Sequence, residues 1–387
     1  MERRLGGVGA DARRRAAEDI AATNDPAALG GTIANPGRRR RAPAVNGVNQ
    51  RQEVGLMDTV RVAAVQAAPV FLQREATVDK AVGLIEKAAG AGAGLVVFTE
   101  TFVPTYPDWV WRTRPWDGHA SALYARLLDQ AVVVPSPATG ALGAAAARAG
   151  VWVSIGVDEL DRHSTTLYNS QLLFDAEGAL VQCHRKLMPT GGERLVWGMG
   201  DGSTLGVVET PFGKIGTLAC WENYMPLARA ALYAQGVDIY LAPTWDNDDV
   251  WVGSMRHIAK EGRVYVVGVN YCLRGSDVPA DVPGRDELYG GDDDWLARGN
   301  TVIVGPGGDV LAGPLVGEEG ILYADLDVDR ARAARMQFDP VGHYGRADVF
   351  RLTVDSGPRR SVSFTFTEDR NVSGELGSGD AGGGVGE

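Results

Sequence analysis

The 387-residue chain contains three cysteines, Cys183, Cys220 and Cys272, a scarcity that excludes a disulfide framework. They are too scattered for a paired metal-ligand spacing, and the odd count leaves at least one free thiol. Of the five histidines, His184, His257 and His343 stand isolated, with no HExxH or similar pattern, so no zinc site is expected. No apolar run approaches the ~18 residues of a membrane helix, and no apolar stretch near Met1 reads as a secretory signal. Basic residues are outnumbered 38 to 49, and the net charge of −11 disfavours binding to nucleic-acid phosphates or to an anionic membrane. These absences lead to the expectation of a cytoplasmic protein with neither nucleic acid nor membrane as partner.

What is present is enough apolar material for a full core: 45% of residues are hydrophobic and 22% charged. The two ends differ from the rest. The first 56 residues hold ten arginines, no lysine and six acidic residues, with Arg38 to Arg41 in one run and no sustained apolar period. Such a segment cannot offset the entropy of ordering, so 1–56 is expected to be a disordered extension, with Met57 an alternative start. From Ser356 the chain turns to Gly, Ser and acidic residues, and 356–387 is expected to be a flexible tail, although Val362, Phe364 and Phe366 alternate like a short edge strand. The folded unit is then 57–355.

Inside that unit, apolar strands alternate with helical stretches. Strands are expected at Val60–Gln66, Leu95–Phe98, Val151–Val157, Asp238–Ala242, Val264–Asn270, Thr301–Val304 and Gly320–Asp325. Helices are expected near Val78–Ala91, Ala120–Gln130, Gly140–Ala149, Pro226–Gln235 and Trp251–Gly262. Leu167–Phe174 with Ala179–His184, and Thr204–Glu209 with Lys214–Ala219, read as two hairpins across glycine-containing turns. Interleaving of this kind indicates an α/β protein, and the hairpins make its sheets mixed.

Three reactive groups close apolar strands, where α/β proteins present side chains to a crevice. Glu100 ends Leu95-Val96-Val97-Phe98-Thr99 and leads into a loop rich in proline and aromatic residues, including Trp109, Trp111 and Trp116. A desolvated carboxylate there would have a raised pKa and suit general-base chemistry; alone, it also reads as an ordinary strand-end acid. Lys186 follows His184 and Arg185, three cations in a row that by themselves suggest a solvated turn. Glu193, seven residues on, reaches Lys186 if the intervening loop folds back. The nearby GMGDGS run resembles half a phosphate loop, but a strand rather than a helix follows, which argues against nucleotide binding. Cys220 sits at a strand-to-helix elbow, where a following helix N-terminus and a nearby lysine would lower its thiol pKa below ~8.5. A lone cysteine after a strand equally reads as a core residue, as Cys183 and Cys272 do. Asp292-Asp293-Asp294 reads as a solvated acidic loop.

Spacing alone does not bring three distant strands together. The blocks FTETFVPTYP, HRKLMPTGGERLVWGMGDGS and CWENYMPLAR are similar, in order and spacing, to the three catalytic blocks of the nitrilase superfamily of carbon–nitrogen hydrolases. VAAVQAAPVF, APTWD and DPVGHYGRADVF support the likeness, which covers essentially 57–355. Met188, Gly191-Gly192 and Gly345-Arg346-Ala347 depart from the usual pattern without touching the chemical groups.

The resemblance implies a four-layer α-β-β-α sandwich with two mixed sheets. It carries a Glu–Lys–Cys triad onto Glu100, Lys186 and Cys220, with Glu193 as a second glutamate holding the lysine. Trp221, directly after the cysteine, resembles the true nitrilase branch, and its backbone N–H would help hold developing negative charge. The implied reaction is hydrolysis of a small nitrile to acid and ammonia without metal or organic cofactor; an amidase using the same triad and a cyanide-hydrating enzyme are the alternatives. Tyr106, Trp109 and Trp245 are candidates for the substrate pocket. The family also implies a homodimer or larger assembly, extending in true nitrilases to spiral filaments, with 284–295 and the C-terminal tail as places where filament contacts would differ.

Overall fold

The computed structural model describes residues 59–359. The expectations for 1–56, for Met57 and for a strand at 362–366 lie outside them.

Two seven-stranded sheets form the centre. The first contains β1 (Val60–Gln66), β2 (Leu95–Val97), β3 (Val132–Val133), β4 (Trp152–Leu160), β5 (Leu167–Phe174), β6 (Leu180–Arg185) and β14 (Gly320–Leu326), in the order β14-β1-β2-β4-β5-β6 with β3 beside β4. The second contains β7 (Val207–Thr210), β8 (Gly213–Thr217), β9 (Ile239–Thr244), β10 (Tyr265–Asn270), β11 (Cys272–Arg274), β12 (Trp295–Val304) and β13 (Val310–Val316), in the order β11-β12-β10-β9-β8-β7 with β13 beside β12. Both are mixed: β1, β2 and β4 run parallel, as do β8, β9 and β10, and antiparallel hairpins complete each sheet.

The layering follows from the period of two along each strand. On β1, Val62 and Ala64 pack with Val97, Ile239, Leu241 and Val267, so one face of each sheet meets the other. Their neighbours Ala63 and Val65 point the opposite way, onto α1 (Arg74–Gly90) and α3 (Pro137–Ala149). On the second sheet Tyr240, Ala242 and Val266 meet α4 (Pro226–Ala234) and α5 (Asp249–Gly262). Strands buried on both faces need near-continuous apolar sequence, which is why β1 and β10 lack the polar alternation of a one-sided sheet. The result is an α-β-β-α sandwich. Three further helices, α2 (Gly118–Gln130), α6 (Arg285–Leu288) and α7 (Val328–Ala334), lie outside these two faces' main pairs. No helix among the described residues is long and apolar enough to cross a membrane.

A fourth apolar cluster, with Tyr106, Trp109, Trp197 and Tyr271, gathers the loops at one end of the sandwich. The chain segments after β2, β6, β8 and β9 come together there.

Candidate active site

Glu100 lies three residues beyond β2, and the chain reaches that point by crossing β4. Gly156 of β4 donates its N–H to Thr99 O (3.1 Å) and accepts from Val103 N (3.1 Å). A Cβ at Gly156 would sit 2.2 Å from Thr101 N and 2.5 Å from the Glu100 carbonyl carbon. Only glycine lets the turn that carries Glu100 lie so close to the strand. Replacing it by alanine is expected to lower stability by about 1–3 kcal/mol, measured by urea denaturation, because backbone rather than a side chain has to move.

Beyond that turn Glu100 is fully buried, and both carboxylate oxygens have polar partners. Its Oε1 accepts the Trp245 backbone N–H (2.7 Å) from the loop after β9, and its Oε2 accepts Asn169 Nδ2 (2.6 Å) from β5 and Lys186 Nζ (3.2 Å). Lys186 is placed by its own backbone, whose N–H donates to Asn169 O (2.8 Å). Its ammonium also donates to Glu193 Oε2 (2.8 Å) and lies 5.5 Å from the Trp197 ring centre. The loop therefore folds back: Gly200 N donates to Lys186 O (2.8 Å), and Glu193 sits in a short turn, Gly191–Leu195, whose Thr190 N–H donates to the same Oε2 (2.6 Å). A Cβ on Gly192 would meet Val110 O at 2.8 Å, so the unusual glycine pair lets this turn close against the aromatic loop.

Tyr106 extends the network. Its hydroxyl donates to Glu193 Oε1 (2.6 Å) and accepts from Trp111 Nε1 (3.1 Å), while its ring stacks on Trp245 at 4.4 Å and 8°. Trp245 thus grips Glu100 with its backbone and Tyr106 with its indole.

Cys220 comes from the second sheet, three residues beyond β8. Its backbone φ is +51°, a left-handed value that a non-glycine residue holds only under constraint. The constraint is visible: Asn223 Nδ2 donates to Leu218 O and Cys220 O (both 2.8 Å), and Tyr240 and Arg229 hold Asn223 in turn. Cys220, Glu193, Tyr106, Trp221 and Trp245 all line one cavity of about 1280 Å³, and Glu100 and Lys186 lie behind them.

The electrostatics correct one sequence expectation. Burial, then the negative charges of Glu100 and Glu193, push the Cys220 thiol well above its ordinary range, and Lys186 only opposes this in part. The helix N-terminus expected to lower it is displaced, because a 3₁₀ turn, Cys220–Tyr224, intervenes before α4 begins at Pro226. Burial also raises Glu100, against the pull of Lys186. For Lys186, burial alone would favour the neutral amine, but Glu100, Cys220 and Glu193 outweigh it and the net shift is upward. The resting site is a protonated thiol beside a proton-seeking carboxylate, with a fixed ammonium between two carboxylates.

Trp109 does not line the cavity. It is 1% exposed within the end cluster, while Trp111, 50% exposed, faces the cavity instead. The two sit in one 3₁₀ turn, Asp108–Trp111, whose period sends them to different sides. His184 pairs with Glu222 (3.2 Å) in the interior. Cys183 and Cys272 lie away from the cavity, their thiols pushed up to about 12 by burial and then by Glu159 and Glu319 respectively. No group of His, Cys, Asp or Glu among the described residues has a metal-holding arrangement. Within 292–294, Asp292 pairs with Arg285 (2.7 Å) and Asp294 accepts the Gly291 N–H (2.8 Å). Asn169, the Trp245 N–H and Glu222 carried no sequence signal: an amide within a strand, a backbone donor and a strand-distant acid look ordinary in one dimension.

An α-β-β-α sandwich with a thiol, an ammonium and buried carboxylates at one end is the architecture of hydrolases acting on carbon–nitrogen bonds. The chain belongs to the carbon–nitrogen hydrolase family, whose sequence model matches residues 61–336. It is 45% identical over 313 residues to an aliphatic nitrilase of Sinorhizobium fredii, covering 79% of this chain and 99% of that one. It is 41% identical over 345 residues to a bifunctional nitrilase/nitrile hydratase, NIT4B, of Nicotiana tabacum, covering 85% and 97%. The fold is also that of the carbon–nitrogen hydrolase from Helicobacter pylori G27 (TM-score 0.60, 20% identity, 76% of this chain and 97% of that) and of Nit3 from Saccharomyces cerevisiae, a member of branch 10 of the nitrilase superfamily (0.59, 22%, 75% and 97%).

Proposed function

We propose that this chain is a nitrilase, hydrolysing a nitrile to its carboxylic acid and ammonia through covalent intermediates on Cys220. The observation that carries the reading is the pairing of a buried, protonated thiol with a buried carboxylate of raised proton affinity, in a chain whose relatives at 41–45% identity are named nitrilases.

Glu100 takes the thiol proton as Cys220 sulfur bonds to the nitrile carbon, and the proton passes to nitrogen, giving a thioimidate. Moving the proton within the site avoids any need for a resting thiolate, which the surrounding carboxylates would oppose. Water, deprotonated by Glu100, adds to the thioimidate carbon. Lys186 and the Trp221 N–H, in the opening turn where N–H groups lack in-helix acceptors, stabilise the tetrahedral species; one such donor is worth about 10²–10³ in rate. The C–N bond breaks to release ammonia, and a second water cleaves the thioester to acid and free thiol. Glu193 keeps Lys186 charged and in place. No metal or organic cofactor enters this scheme.

Alternative departure from the same tetrahedral species, breaking C–S instead of C–N, yields the amide. The relatives named bifunctional nitrilase/nitrile hydratase favour including this branch. Tyr106, Trp111 and Trp245 give the cavity an apolar aromatic wall suited to an aryl or arylalkyl nitrile, with small aliphatic nitriles and cyanide as the competing substrates. We place the enzyme in the cytoplasm as a homodimer or larger assembly.

Purified protein incubated with benzonitrile, phenylacetonitrile, an aliphatic dinitrile and cyanide, each beside its amide, tests the reading. Acid and ammonia are expected from at least one nitrile, with amide as a lesser product. Turnover of amides alone would overturn it in favour of an amidase.

A further inference from the structure

Glu222 and His184 take no chemical step in the reaction above, yet they are 1% and 2% exposed and make more polar contacts than a packing role requires. Glu222 Oε2 accepts the Ala219 N–H (2.6 Å), from the residue before Cys220. Its Oε1 accepts the Leu187 N–H (2.7 Å), from the residue after Lys186. One carboxylate thereby ties the backbone on one side of the thiol to the backbone on one side of the ammonium. It also bridges the two sheets, because Lys186 leaves β6 of the first and Cys220 leaves β8 of the second.

His184 completes the arrangement from β6. Its Nε2 lies 3.2 and 3.3 Å from the two Glu222 oxygens, and its Nδ1 lies 3.2 Å from the Thr204 carbonyl oxygen. A carboxylate can only accept, so Nε2 donates to Glu222, while Nδ1 faces both the Thr204 carbonyl and the Thr204 hydroxyl (3.3 Å), and the Glu222 charge favours the protonated ring. Burial opposes the ring's charge, and the Glu222 carboxylate with the Thr204 carbonyl outweighs it. Glu222 accepts from two backbone N–H groups and the ring together.

Resting on the nitrilase reading, we infer that the buried His184–Glu222 pair is a positioning device, clamping the Cys220 elbow to the Lys186 loop so that thiol and ammonium meet the same reacting carbon. His184 does not line the cavity, and Glu222, which does, acts in this role through the two backbone N–H groups it holds. Misplacing reacting groups by about 1 Å costs about 10²-fold in rate, so the clamp acts on kcat rather than on nitrile binding.

The test uses the full chain carrying His184→Gln, which keeps a donor near Nε2 and loses the charge, with His184→Ala and Glu222→Gln beside it. Three readouts are taken: kcat and KM on the preferred nitrile, the melting temperature, and the rate of Cys220 alkylation by iodoacetamide followed by peptide mass. His184→Gln is expected to fold, to change KM by less than about twofold, and to lower kcat and the alkylation rate together by about 10–100-fold, with His184→Ala lower still. A His184→Gln variant with unaltered kcat and unaltered alkylation would overturn the clamp, as would a loss that tracks only the unfolded fraction. Alkylation needs no nitrile, so a failure of the nitrilase reading leaves this comparison intact.

Discussion

Cys220→Ala is expected to reduce nitrile turnover by about 10⁶, to background, while the protein retains its fold. The size of the effect follows from chemistry: no other thiol reaches the cavity, since Cys183 and Cys272 lie away from it and are held protonated. A water molecule attacking the nitrile directly would leave out the covalent step that divides one high barrier into two. Removing one sulfur from the elbow costs little stability, about 1 kcal/mol, because Asn223, Tyr240 and Arg229 hold the turn independently of it. Circular dichroism and thermal melting establish the fold. Intact-mass analysis of acid-quenched reactions is expected to show an acyl adduct on the unaltered enzyme and none on the variant. Residual turnover above about 1% would remove Cys220 from the mechanism.

The second large effect is expected from Lys186→Met, which keeps the aliphatic stem and removes the charge. Glu100 and Glu193 are then left without their shared cation at 0% and 1% exposure, and breaking a buried pair from one side costs about 3–5 kcal/mol. The pH dependence has a definite sign. Burial already raises Glu100, and Lys186 is the chief influence pulling it back, so the variant's Glu100 rises further. A carboxyl whose folded pKa lies above its unfolded value contributes stability below the unfolded pKa and loses it as pH rises through the folded one. Urea denaturation is therefore expected to show a wider gap between the unaltered and variant proteins at pH 8 than at pH 5. Activity falls by at least about 10²–10³, because a donor to the developing charge is gone. An equal stability gap at both pH values would mean that Lys186 does not balance these carboxylates.

Strong apolar strands are legible in the sequence. Val60–Gln66 and Leu167–Phe174 fall where expected, since each is a long β-favouring run between clear breaks. β3 and β11 are two and three residues long, too short to show a period, and β13 carries Gly313-Pro314, which reads as a break. α7 is mostly Asp, Arg and Ala, with only Val328 and Ala331 buried. At the site, residues at strand ends stood out, and the family blocks linked them. The run His184-Arg185-Lys186 misled as a solvated turn because three cations look alike in sequence; in the structure each meets its own acid, Glu222, Glu159, and Glu100 with Glu193. Partners that are distant in sequence and fixed by the fold leave no local mark.

The groups proposed to react are divided between two sheets. Glu100 and Lys186 hang from the first, Cys220 and the Trp245 N–H from the second, and the apolar seam of Val62, Val97, Leu241 and Val267 holds them in register beneath the polar ties of Glu222 and Glu100. That seam is the mounting of the proposed catalytic groups as well as the middle of the fold. Directed evolution on this scaffold therefore has few neutral core positions to spend: a methyl group added or lost between the sheets is felt as a change in the distance from sulfur to ammonium, and variants selected for heat resistance will carry their own signature in turnover.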